Sequence, residues 1–205
     1  ELRERYVSGS QYIRSAGVSP SASRVAIDFR GDIVTIPEKY GDVINLTQTT
    51  GVHEKYPKWS PDAKHLAYFS DESGEYELHI KNFENEDINK IKLNGAGFYA
   101  YPYWSPDSKK IAFVDNSRSL YVADVSSKKV TKIDSDELYT PGVYRDLFGS
   151  WSKDSKWISY TKIIETNFEQ AFAYSLEEKK AYALSDGLSN VTEPTFDSSG
   201  KYLFI

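Results

Sequence analysis

The segment WSPDAKHLAYFS at 59–70 recurs as WSPDSKKIAFVD at 104–115 and as WSKDSKWISYTK at 151–162. Two more divergent copies align with these without gaps, VSPSASRVAIDF at 18–29 and FDSSGKYLFI at 196–205. The anchor residues Ser19, Ser60, Ser105, Ser152 and Asp197 are 41, 45, 47 and 45 residues apart. A period in this range marks an array of like supersecondary units and decides the architecture before any single segment is read.

Each copy reads as a β-hairpin. An aromatic closes one strand, Ser-Pro-Asp-x-Lys makes the turn, and an apolar run such as His65-Leu66-Ala67-Tyr68-Phe69 begins the next strand. Proline presets φ for the turn, and Asp62 or Asp107 accepts backbone N–H groups within it. Inner strands are expected at 55–60 and 100–105, third strands at 76–81, 120–125 and 171–176, and fourth strands at 43–47, 89–93, 129–133 and 181–184. Four antiparallel strands repeated at this period specify a β-propeller blade. A β-sandwich shares the turn spacing but not the long recurrence.

The fold class is therefore all-β, one propeller segment over 1–205 with about four complete blades plus partial ones. A six- or seven-bladed ring at this period needs about 270–315 residues, so the segment is expected to be a fragment of a larger ring, the alternative being that its first and last pieces combine into one closing blade. A chain that begins at Glu1 and contains no Met fits excision from something longer.

Composition narrows the function classes. Aromatic residues make up 15% of the chain, which favours strands, and the net charge is −5 with no basic stretch, which argues against nucleic acid as a partner. Cysteine is absent, so thiolate metal sites and cysteine nucleophiles are excluded. No apolar run reaches the roughly 20 residues needed to span a bilayer, so no membrane association is expected. His53, His65 and His79 lack metal-ligand spacing and read as surface or hydrogen-bonded histidines. No Gly-x-Ser-x-Gly elbow is present, so the Ser-Pro-Asp serines are turn formers and no catalytic residue, cofactor or metal is expected.

Trp59, Trp104 and Trp151 share one column, beside the apolar column Val25, Leu66, Ile111, Ile158, Leu203 and the small column Ala26, Ala67, Ala112, Ser159. Aromatics in register with the repeat are expected to pack blade on blade. Because strands alternate in direction, the loop entering an inner strand and the loop joining the second and third strands emerge on one face. That places His53, Glu54 and Tyr56 beside Asp71, Glu72 and Glu75, with Tyr99, Tyr101, Arg145 and Asp146 in neighbouring blades, as candidate recognition residues at a channel mouth.

RGDIVTIP (30–37), NLTQTTGVHEKYPKWSPDAK (45–64) and YFSDESGEYELHI (68–80) together resemble the propeller region of tricorn-type serine proteases, in particular their second, seven-bladed propeller. Beyond about residue 82 the likeness rests on the generic Trp-Ser-Pro-Asp repeat, shared with TolB-like proteins and prolyl-oligopeptidase-type peptidases. The resemblance implies a large, cytoplasmic, homo-oligomeric protease whose propellers gate oligopeptides. Its catalytic residues lie in later domains, and no position here matches their motifs. The partners implied are oligopeptides or other domains of the same parent chain. The alternative is a periplasmic TolB-like scaffold that binds proteins through its propeller face.

Overall fold

The computed structural model describes residues 9–93, 97–138 and 145–205. Blade 1 comprises β1 (Ile13–Val18), β2 (Arg24–Phe29), β3 (Asp32–Pro37) and β4 (Ile44–Asn45). Blade 2 comprises β5 (Glu54–Trp59), β6 (His65–Ser70), β7 (Glu77–Asn82) and β8 (Ile88–Lys92). Blade 3 holds β9 (Tyr99–Trp104), β10 (Lys110–Asp115), β11 (Ser119–Asp124) and β12 (Val130–Ser135). Blade 4 holds β13 (Phe148–Trp151), β14 (Trp157–Ile163), β15 (Glu169–Ser175) and β16 (Lys180–Ala183). A two-stranded start of a fifth blade, β17 (Thr195–Phe196) and β18 (Leu203–Phe204), ends the chain.

Every complete sheet runs antiparallel in chain order. First strands of successive blades pack side by side, β1 on β5 and β5 on β9, so these form the inner edge and the fourth strands the outer one. The expected strands are all present, shifted by one or two residues, except that β4 is only Ile44–Asn45. The shortening reflects the polar run Thr47 to Thr50, where Asn45 Oδ1 accepts the N–H groups of Thr47 and Gln48 and turns the chain away.

The hairpin turn is one device used five times. In blade 2, Ser60 Oγ donates to Asp62 Oδ1 (2.5 Å) and accepts from His65 N (2.9 Å), while Asp62 Oδ1 accepts from Lys64 N (3.0 Å). Ser105 with Asp107 and Ser152 with Asp154 repeat it. These bonds outweigh partial burial and hold Asp62 and Asp107 below the usual carboxylate range. The turn's fourth residue is left-handed in all five copies, at Ala22, Ala63, Ser108, Ser155 and Gly200, with φ between 56° and 75°. Where that residue is serine, its hydroxyl reaches back one blade, Ser108 Oγ to Asp62 N and Ser155 Oγ to Asp107 N.

The core lies between blades. Phe69, Leu78, Ile80 and Ile91 of blade 2 meet Trp104, Ile111 and Phe113 of blade 3. Val114, Leu120 and Val122 of blade 3 meet Trp151, Ile158 and Tyr160 of blade 4. Full burial of such side chains stabilises by about 1.5–3 kcal/mol each. Ala26, Ala67, Ala112 and Ser159 are wholly buried, as a small column between close-packed sheets requires. Inner strands approach so closely that a Cβ on Gly17 would lie 2.5 Å from the Pro57 carbonyl oxygen.

Trp104 and Trp151 behave as the repeat predicts. Each is buried, and its indole Nε1 donates to a backbone carbonyl one blade back, Lys58 O at 3.0 Å and Tyr103 O at 3.1 Å. Trp59 departs from them: it is half-buried, stacks on Phe83, and its buried Nε1 has no hydrogen-bond partner. In the outer copies Val18 and Phe204 are exposed and Leu203 is half-buried. Of the histidines, read as surface or hydrogen-bonded, His79 is not a surface residue. It is 2% exposed, lies edge-on to Tyr68, and burial pushes its pKa down. No helix among the described residues is long and apolar enough to cross a membrane.

Candidate inner wall and mouth

The loop that enters β5 and the loop between β6 and β7 meet as the alternation of strands requires. His53 N donates to Asp71 Oδ1 at 2.7 Å, and His53 Nδ1 bonds the Tyr76 hydroxyl at 2.7 Å. Blade 3 repeats the link through Phe98 N and Asn116 Oδ1. His53, Glu72 and Glu75 are exposed on this mouth and Asp71 is half-buried. Glu72 is engaged by Lys90 at 2.5 Å, which holds its carboxyl below its ordinary range.

The remaining predicted residues divide. Glu54 is buried and accepts from Thr49 Oγ1 at 2.9 Å, and burial pushes its carboxyl pKa up. Tyr99 belongs to the core, stacked on Phe69 and edge-on to Phe113, with its hydroxyl pKa pushed up to about 12 by burial. It is the first residue of β9, and its ring faces blade 2. Arg145 is drawn into ion pairs with Asp136 (2.8 Å) and Glu169 (3.1 Å), linking the end of blade 3 to blade 4. Asp146 accepts from the Tyr103 hydroxyl and from Phe148 N, while burial raises its pKa. Arg145 and Asp146 thus organise the structure beneath the mouth.

Tyr56 and Tyr101 sit within β5 and β9, on the inner wall instead of the loops. Each precedes a proline, each has a left-handed backbone (φ 57° and 55°), and each marks a register shift against its neighbouring strand. Proline has no N–H to offer a ladder, which suits an edge strand, and its predecessor ordinarily prefers extended backbone. The two bulges therefore carry strain, and they bring the tyrosine rings to 5.4 Å between centroids. With Arg14, Ser15, Lys58 and Tyr103 these rings line a concavity of about 300 Å³ spanning β1, β5 and β9.

Lys55 was not among the sequence candidates. It is 8% exposed, with Nζ 4.0 Å from the Tyr76 ring centre, 5.3 Å from Phe98 and 5.8 Å from Tyr56. Burial lowers its pKa to about 8, against the opposing pull of Asp28 and Asp71. Repeated Tyr-Pro-x-Trp at 56–59 and 101–104 was the sequence signal for the bulged wall. Little in the local sequence marked Lys55, because apart from the adjacent Tyr56 its aromatic neighbours, Tyr76 and Phe98, come from a different loop and the next blade.

In blade 2 a serine, an aspartate and a histidine cluster, with Ser60 Oγ donating to the Asp62 carboxylate as part of the turn and His65 Nδ1 3.7 Å from Asp62. No group of three metal-ligating side chains occurs among the described residues.

The family model described as tricorn protease second beta propeller domain matches residues 13–205. Among solved structures, the crystal structure of the tricorn protease aligns with a TM-score of 0.79 at 17% identity, covering 99% of this chain and 20% of that one. TolB from Acinetobacter baumannii aligns at 0.61 and 17% identity, covering 93% and 47%. Kuenenia stuttgartiensis hydrazine synthase aligns at 0.60 and 14%, covering 97% and 58%. At these identities the likeness to the solved structures is one of fold, and the chain spans a fifth of the tricorn protease chain. No curated protein matches the chain in sequence.

Proposed function

The chain belongs to the family of tricorn protease second β-propeller domains, and from that premise we propose that it is a noncatalytic propeller segment that passes oligopeptides along its inner wall toward catalytic domains of a cytoplasmic, homo-oligomeric serine protease. The observation that carries this reading is the strained pair Tyr56 and Tyr101. Two adjacent blades repeat the same Tyr-Pro bulge on the inner edge and bring their rings within 5.4 Å. Both rings also rest on the inter-blade clusters, Tyr56 on both of them and Tyr101 on that of blades 3 and 4, while still lining the concavity, so the bulges seat the rings firmly at the wall. Strain held in place by its surroundings is a mark of a working surface.

Tyrosine offers wide contact area at small conformational cost and suits peptides of varied sequence. The exposed mouth residues His53 and Glu75 and half-buried Asp71 add polar groups of both kinds at the entrance. The test is a titration of the chain with mixed-sequence oligopeptides of about ten residues, followed by NMR. Chemical-shift changes at residues of β5 and β9 support the reading, and none at millimolar peptide overturns it.

A further inference from the structure

We propose that the inner wall selects peptides by negative charge, the two exposed cations Arg14 and Lys58 taking carboxylate groups while the tyrosines carry the intervening chain. The inference rests on the peptide-passing reading above and names its substrate class. Its basis is a segregation of charge. The whole chain carries a net charge of −5. Along the described first strands, however, the charged residues are Arg14, Lys55, Lys58 and Glu54. Glu54 is 3% exposed and turned onto Thr49, so it presents no charge to the wall. Arg14 and Lys58 are exposed and line the same concavity as Tyr56, Tyr101 and Tyr103, which contains no carboxylate.

No carboxylate among the described residues pairs with Arg14 or Lys58 within 4 Å. Lys58 Nζ instead lies 5.8 Å from the Tyr103 ring centre. The nearest wall acids are withdrawn: Asp28 is buried and accepts from Ser15 Oγ at 2.7 Å, and Asp146 accepts from the Tyr103 hydroxyl. Concave, low-dielectric walls of one sign focus their field and concentrate ligands of the opposite sign. An arginine and a lysine flanking tyrosine rings therefore favour a peptide with acidic side chains or a free terminal carboxylate, and disfavour a lysine-rich one.

The experiment is a calorimetric titration of the full chain with four peptides sharing one neutral backbone: glutamate-bearing, its glutamine counterpart, its lysine counterpart, and the glutamate peptide amidated at its C-terminus. The glutamate peptide is expected to bind about three- to tenfold more tightly than the lysine peptide, with the difference lost in the Arg14→Gln/Lys58→Gln double variant and reduced at high salt. Weakening by glutamine assigns the side-chain carboxylate, and weakening by amidation assigns the terminal one. Because both cations are exposed, the double variant should keep the parent's denaturation midpoint. If that midpoint falls, salt dependence of the unmodified chain decides the matter. Equal, salt-insensitive binding of all four peptides overturns the charge inference and leaves peptide passage standing. Binding of none overturns both.

Discussion

Replacing Trp104 by alanine removes a side chain that is 7% exposed, belongs to the core cluster between blades 2 and 3, lies 6.2 Å ring to ring from His65 of the preceding blade, and donates its indole N–H to Lys58 O. Truncation of a buried tryptophan costs about 3–5 kcal/mol. The hydrogen bond accounts for about 1 kcal/mol of this, so Trp104→Phe, which keeps most of the buried ring, should cost about 1–2 kcal/mol. Trp59 is half-buried and its Nε1 bonds nothing, so Trp59→Ala should cost less, about 1.5–3 kcal/mol. With a urea slope of about 2–3 kcal/mol per molar, Trp104→Ala lowers the midpoint by about 1–2.5 M. Urea unfolding followed by far-ultraviolet circular dichroism separates the three variants. An unchanged midpoint for Trp104→Ala, or a larger loss for Trp59→Ala, would refute the assignment of this column to blade-on-blade packing.

Arg145→Gln should lower stability by about 2–4 kcal/mol, because it strips a buried carboxylate, Asp136, of its closer cation; thermal unfolding reads this, and full stability with lost peptide binding would contradict it. Ala63→Gly should raise stability by about 0.5–1 kcal/mol by relieving a left-handed backbone at φ 60°, and a lower urea midpoint would count against the turn geometry. Lys55 titrates near 8 when folded and near its ordinary 10.5 when unfolded. The unfolded chain therefore holds more protons between these values, and stability from this group rises with pH from about 8 to about 10.5, by at most about 1.4 kcal/mol per unit. Lys55→Met should flatten that rise in pH-dependent urea melts, and an unaltered slope would show the ammonium to be solvated. The chain itself should not hydrolyse a fluorogenic peptide, and turnover that survives purification and responds to a serine-directed inhibitor would contradict this.

The architecture was legible because it is written as a repeat. Trp-Ser-Pro-Asp at a fixed period fixes the turn, the strand before it and the strand after it, and the small column at Ala67 and Ala112 follows in register. The mouth was legible in part: alternation of strands correctly paired the loop at His53 with the loop at Asp71. It failed where the side chain, and not the loop, decides. Tyr99 and Tyr101 are two residues apart, yet the bulge between them sends one ring into the core and leaves the other on the wall. Lys55 depends on Tyr76 from a distant loop of its own blade and Phe98 from the next, and Arg145 on Asp136 and Glu169 from two blades, so a reading of the local sequence carries little signal for either.

Photocrosslinking tests the central claim most directly. A peptide of about ten residues with a photoreactive group at its centre is bound to the chain, irradiated, and mapped by mass spectrometry. Labelling concentrated on the inner strands, at Tyr56, Tyr101 and Tyr103, is the predicted result. Labelling confined to the Ser-Pro-Asp turns or to the outer strands β8, β12 and β16, or no labelling at millimolar peptide, would contradict it.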